Sequence, residues 1–202
     1  MRQLILILNV FLLIISGFAQ TYNPEAAAAY ATRYCNTPNE QYPYYNSDCA
    51  NFVSQCLKAG GLDLSVGINP NLRPPNNGVN GYDCMDNAQN LTYHLEHYQN
   101  TENNVVTGFN TPANHDVGDP VFVLENKRAV HSFICSSLDN SASYLYSSHS
   151  SEHCDVNISS WYPNTQLKFF HIKNSIPAHC ENCIKDADET GIDCGGSCPP
   201  CQ

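Results

Sequence analysis

Basic side chains are the scarcest chemistry in this chain. Nine Lys and Arg stand against nineteen Asp and Glu among 202 residues, a formal net charge of −10. No cluster of Lys or Arg interrupts that balance, so nucleic acid and anionic membrane surfaces are excluded as partners, and the acidity serves solubility. A second absence is a long apolar run. Leu4–Ile15 is the longest and is too short to span a bilayer, which takes about 20 apolar residues. No later stretch is long enough either, so no membrane span is expected.

That short run has a different reading. Arg2 precedes it and Gly17-Phe18-Ala19 follows it, the pattern of a secretory signal over residues 1–19 with its small-residue cleavage site. Export to a secreted or periplasmic location is therefore expected, and disulfides survive there. No cysteine follows the signal to carry a lipid. Cysteine itself is plentiful. Eleven are present, an odd number that predicts five bridges and one free thiol, with Cys49 the candidate for the latter.

Taken in order, residues 20–176 read as one α+β domain and residues 177–202 as a Cys-rich tail. Asn23-Pro24-Glu25 supplies an N-cap, a proline for the first helical position and an acid near the dipole, opening a helix to about Cys35. Residues 65–81, rich in Asn, Pro and Gly, form a long loop. Asp86 to Tyr98 reads as a helix with Leu91, His94, Leu95 and Tyr98 on one side; His94 and His97 are packing or surface residues, since no third metal ligand accompanies them. From Val105 the period turns to strands: 120–124, 129–136, 143–149 and 166–173. Helices first and an antiparallel sheet after them make N-terminal helices packed on a small sheet. The tail holds five cysteines in the 22 residues from Cys180 to Cys201 and almost no aliphatic core, so disulfides must order it. Zinc is disfavoured by export, and the acids Asp186, Asp188, Glu189 and Asp193 match no EF-hand spacing for calcium.

The most informative stretch is NSDCANFVSQCLKAGG, Asn46 to Gly61. Asn46, Ser47 and Asp48 are N-cap candidates, a helix runs to Ala59, and Gly60-Gly61 stops it. Cys49, Phe52, Val53, Cys56 and Leu57 share one face. Cys49 thus lies in the first turn, where free backbone N–H groups and the positive dipole end stabilise a thiolate and an oxyanion. A buried core thiol or a disulfide half is the competing reading of the same position. A nucleophilic cysteine also needs a base and a group to orient that base. His131 on one strand, facing with Phe133 and Cys135, and His149 at the end of the next strand are the candidates.

These residues carry a resemblance. DCANFVSQCLKAGG resembles the cysteine motif of an amidase domain family in the papain-like superfamily, which includes the NlpC-type and CHAP peptidoglycan hydrolases. YNPEAAAAYATRY resembles that domain's opening helix, and DVGDPVFV followed by VHSFICSS resembles its Gly-Asp and histidine strands. The likeness covers about Tyr22 to Lys173. It implies a papain-like fold, Cys49 as nucleophile, His131 as general base and His149 as the third polar residue, with Ser148 and His153 as competitors for that last role. Asp48 and Asn51 match the motif as residues that shape the helix start. The implied activity is amide hydrolysis through an acyl-enzyme, on peptide or peptidoglycan, by a monomer without metal or organic cofactor. The tail resembles a short Cys-rich motif of exported Bacteroidetes proteins, so the sequons at Asn90 and Asn157 carry no meaning. A non-catalytic cell-envelope or surface-binding protein on a degenerate hydrolase fold is the alternative, and an acyltransferase a third.

Overall fold

A computed structural model describes residues 22–64, 87–150 and 153–173, together with 185, 190 and 191. The expected signal segment, the loop expected over 65–81 and nearly all of the Cys-rich tail lie outside the described residues.

Three helices precede the strands, as the sequence predicts, but the strands number six among the described residues where the sequence reading gives four. Helix α1 spans Pro24–Tyr34, capped by Asn23, whose side chain accepts from the Ala26 N–H. Helix α2 spans Cys49–Ala59. It ends in a Schellman arrangement: Gly61, at φ 91°, donates to the Lys58 carbonyl and Leu62 to the Leu57 carbonyl. Helix α3 spans Ala88–Tyr98, with Asn87 capping the Gln89 and Asn90 amides. No described helix is long and apolar enough to cross a membrane.

The strands are β1 Thr101–Thr107, β2 Pro120–Glu125, β3 Arg128–Leu138, β4 Tyr144–Ser148, β5 His153–Val156 and β6 Gln166–Ile172. They form one antiparallel sheet in the order β1-β6-β2-β3-β4-β5. The two central strands are buried on both faces, which is why β2 reads as an unbroken apolar run rather than an alternation. Phe122, Leu124, Ile134 and Phe170 face the helices and join Phe52, Val53, Leu57, Leu91 and Leu95 in one core. Val121, Phe133, Tyr146, Leu167 and Phe169 form a second core with Ile158 on the other face, flanked by Phe109 and Tyr162.

Two strands escape a reading by period. In β1 every residue is exposed or half-buried, so it has no apolar face to reveal it. In β5 all four residues are half-buried, and the strand is held by a disulfide between Cys154 and Cys35 at the end of α1.

The turn before β2 is fixed from three sides. Asp119 accepts from the Ile172 and Asp116 N–H groups and from His171 Nδ1, tying the start of β2 to the end of β6. Burial raises its carboxyl to about 6, and these donors work against that shift. Gly118 sits at φ 86°, and a Cβ there would lie 2.6 Å from Pro24, so only glycine lets the turn lie against α1.

The count of bridges needs correction. Cys49, Cys56 and Cys135 are buried thiols, which leaves at most four bridges for the eleven cysteines instead of five. Cys56 and Cys135 lie in the two apolar cores, where a thiol packs as a small hydrophobe.

Candidate active site

The site begins with an N-cap residue that does not cap. Asp48 precedes α2, yet its side chain makes no hydrogen bond to the first-turn amides. Its Oδ1 accepts from the Tyr45 N–H at 3.0 Å and from Asn51 Nδ2 at 2.8 Å, and its Oδ2 accepts from His149 Nδ1 at 2.6 Å. The carboxylate is fully committed in a buried setting. The amides at the start of α2 are therefore not consumed by the cap, and the dipole end is left to serve an anion.

Cys49 is the first residue of that helix and 3% exposed. It borders a cleft of about 280 Å³, whose walls also include Ser47, Asn87, Arg128 and Ala129. A thiol that is otherwise enclosed thus meets one small opening.

The end of β4 holds both the helix start and the candidate base. Ser150 Oγ accepts from the Asp48 N–H at 2.5 Å. The His149 ring stacks on Phe52 with centroids 4.0 Å apart. Its Nδ1 meets Asp48 and its Nε2 lies 2.8 Å from the Tyr34 carbonyl. A carboxylate and a carbonyl both accept, so the ring donates from both nitrogens, and both are occupied. The Cys35–Cys154 bridge starts one residue past Tyr34 and pins the same corner.

His131 lies on β3 with its ring edge-on to Phe133 at 4.5 Å, as the shared face of the strand predicts. Its Nε2 is 3.4 Å from Ser148 Oγ. Ser148 is itself within reach of two carbonyls, Ser132 at 2.8 Å and His149 at 3.0 Å. A hydroxyl has one proton to give, and a carbonyl can only accept it. Ser148 Oγ must then accept from His131, which puts the ring proton on Nε2 and leaves Nδ1 as the basic nitrogen. Burial, with the nearby His153 adding to it, lowers His131 to about 4, so the ring is neutral at pH 7. Tyr162 packs on Phe133 with ring centroids 6.1 Å apart, and its phenol is raised first by burial and then by the charge of Cys49. Tyr162 thus lies against the strand that carries His131.

The residues singled out from sequence thus form one connected patch. Cys49 follows Asp48, Asp48 holds His149, His149 follows Ser148, and Ser148 meets His131. Within it the contact to His131 comes from Ser148, while His149 turns to Asp48 and Tyr34. His153 packs against Trp161, with ring centroids 4.6 Å apart and the planes tilted by 56°. Sequence reasoning passed over two members. Arg128 reads as a turn residue, and Tyr162 belongs to no motif; only folding brings Arg128 to the cleft of Cys49 and Tyr162 against Phe133. Among the described residues no group of His, Cys, Asp and Glu is arranged to hold a metal ion.

Comparison with known proteins gives a family and little else. The sequence model of the family described as "Putative amidase domain" matches residues 21–172. A 40-residue stretch is 52% identical to "Uncharacterized protein YjcM" of Bacillus subtilis (strain 168), covering 19% of this chain and 10% of that protein. A 48-residue stretch is 42% identical to "Uncharacterized protein YhbB" of the same organism, covering 24% of this chain and 15% of that protein. The matched stretches are thus a small part of either relative. No solved structure matches.

Proposed function

The chain belongs to the "Putative amidase domain" family, and from that premise we propose that it is an exported, papain-like cysteine hydrolase acting on peptide amide bonds, with peptidoglycan as the substrate. The observation that carries the reading is the start of α2. A cysteine occupies the first helical position, it borders a cleft, and the cap carboxylate is held away from the amides around it.

The chemistry is acyl transfer. His131 Nδ1 takes the Cys49 proton, and the sulfur attacks the amide carbonyl carbon. The carbonyl oxygen becomes an oxyanion, which the first-turn N–H groups of α2 stabilise; such donors are typically worth about 2.7–4 kcal/mol each in a water-poor site. The imidazolium then returns its proton to the leaving amine, a thioester remains on Cys49, and water activated by His131 releases the acid. Ser148 holds His131 in the tautomer this requires. Asp48 and His149 keep the helix start in place, a positioning role that fits a ring with both nitrogens already bonded. The resemblance implies His149 as the third catalytic residue, with Ser148 and His153 as competitors, and the hydrogen bonds support Ser148 for contact with the base.

The test compares the wild type with Cys49→Ala on purified peptidoglycan, following newly released amino groups. The variant should release none while keeping its thermal midpoint. Equal release by both proteins would sink the proposal.

A further inference from the structure

The cleft beside Cys49 has a sign. Among the described residues that wall it, Arg128 carries a fixed positive charge and none is Asp or Glu. Arg128 opens β3, three residues before His131. It is set there by a tight two-residue turn in which Asn126 and Lys127 have φ of 49° and 66°, the left-handed pair of a hairpin. Glu125 is its register partner across the hairpin, yet the two make no ion pair, and Arg128 has none with any described residue. Lys168 pairs with Glu96 and Lys173 with Glu102, whereas Arg33, which lies over the Tyr34 ring, shares with Arg128 the lack of an ion pair among the described residues. What sets Arg128 apart is its place: its exposed guanidinium, a planar two-pronged donor suited to a carboxylate, stands on the wall of the cleft that Cys49 borders. The surroundings reinforce it. The starts of two helices, Cys49 of α2 and Ala88 of α3, border the same cleft and add positive potential.

We infer that the cleft selects substrates bearing a carboxylate close to the scissile amide, and that Arg128 is the specificity-determining residue that binds it. The inference rests on the reading of Cys49 as the nucleophile at that cleft. Its substrate class is an anionic peptide, one whose residue next to the cleaved bond is acidic or carries a free carboxyl group. A volume of about 280 Å³ is at the small end of ligand pockets, room for a residue or two and not for an extended chain.

Cys49 can report the charge of its own cleft. The folded protein is treated with iodoacetate and, separately, with iodoacetamide. In each case the thiolate sulfur displaces iodide, and labelling of Cys49 is followed by peptide mass spectrometry with glutathione as the reference thiol. The two reagents differ in a carboxylate against a carboxamide. The wild type should favour iodoacetate over iodoacetamide by roughly five- to tenfold relative to glutathione, the range of a charge-assisted contact at a partly exposed site. Arg128→Gln should abolish that preference, and Lys127→Gln, the neighbouring charge in the turn, should keep it. A wild-type ratio equal to that of Arg128→Gln overturns the inference. Hydrolysis of matched peptides with Glu or Gln beside the cleaved bond separates the two ideas. Turnover without a preference for Glu leaves the hydrolase standing and removes the anion cleft, whereas an iodoacetate preference without turnover does the reverse. A Cys49 inert to both reagents removes both.

Discussion

Replacing His149 by phenylalanine probes the corner on which the site depends. The aromatic ring keeps its stack on Phe52, at 4.0 Å, and its contact with Tyr44, at 5.8 Å, so the apolar packing changes little. Both polar contacts vanish. Asp48, whose side chain is 1% exposed, loses the 2.6 Å donor that compensates its charge, and the Tyr34 carbonyl loses its donor at 2.8 Å. Removing one partner of a buried ion pair costs about 3–5 kcal/mol, because the other charge stays buried and unpaired. A domain of this size has about 5–15 kcal/mol in total. His149→Phe should therefore still fold, with a thermal midpoint lower by roughly 10–15 °C. Asp48→Asn in the same background removes the stranded charge, so the double variant should recover part of the loss. A coupling of at least about 2 kcal/mol between the two positions is expected in a urea-denaturation cycle. Additive effects, or a loss below about 1 kcal/mol for His149→Phe, would show that the pair does not hold the start of α2.

Other consequences follow from the same geometry. Ser148→Ala removes the acceptor that fixes the His131 tautomer, so kcat/KM should fall by roughly 10- to 100-fold while Cys49 stays open to alkylation. The acid limb of kcat/KM should come near pH 4 and not near 6.5, because burial holds His131 neutral; a pH–rate profile of the free enzyme reads it directly. The same shift has a stability sign. His131 and the more deeply buried His115, both lowered to about 4, bind fewer protons folded than unfolded, so their contribution is lost as pH falls from 6.5 through 4. Denaturant midpoints across that range should fall toward acid. Reducing the Cys35–Cys154 bridge, which closes a loop of 119 residues, should cost about 2–5 kcal/mol and also slow turnover, since Tyr34 and His149 share that corner. Paired urea curves with and without a dithiol reductant measure the first, and initial rates the second.

The sequence and the fold agree most closely where local chemistry is strong. The α2 boundaries are legible because Asp48 and Gly60-Gly61 frame an apolar face that repeats at helical spacing, and the helix runs Cys49–Ala59. Strands β2, β3, β4 and β6 are legible because their residues fill a core. Strands β1 and β5 are not, because an edge strand with little burial has no hydrophobic period to display. At the site, the first-turn cysteine and the strand histidine can be picked from their own surroundings. What each side chain touches cannot. Ser148 and His149 are neighbours in sequence and differ only in where β4 ends, and that ending sends one to His131 and the other to Asp48. Arg128 shows the same limit: its turn is readable from the sequence, but the cleft it faces exists only after α2, α3 and β3 have packed together.

The central claim is that Cys49 forms the acyl-enzyme. Its most direct test is the intact mass of the protein, acid-quenched during turnover on peptidoglycan fragments, with any adduct mapped by peptide sequencing. The account predicts a mass increase equal to the acyl half of the substrate, on Cys49, and lost when turnover is allowed to finish. Product accumulating with no adduct, or an adduct on another residue, would contradict it.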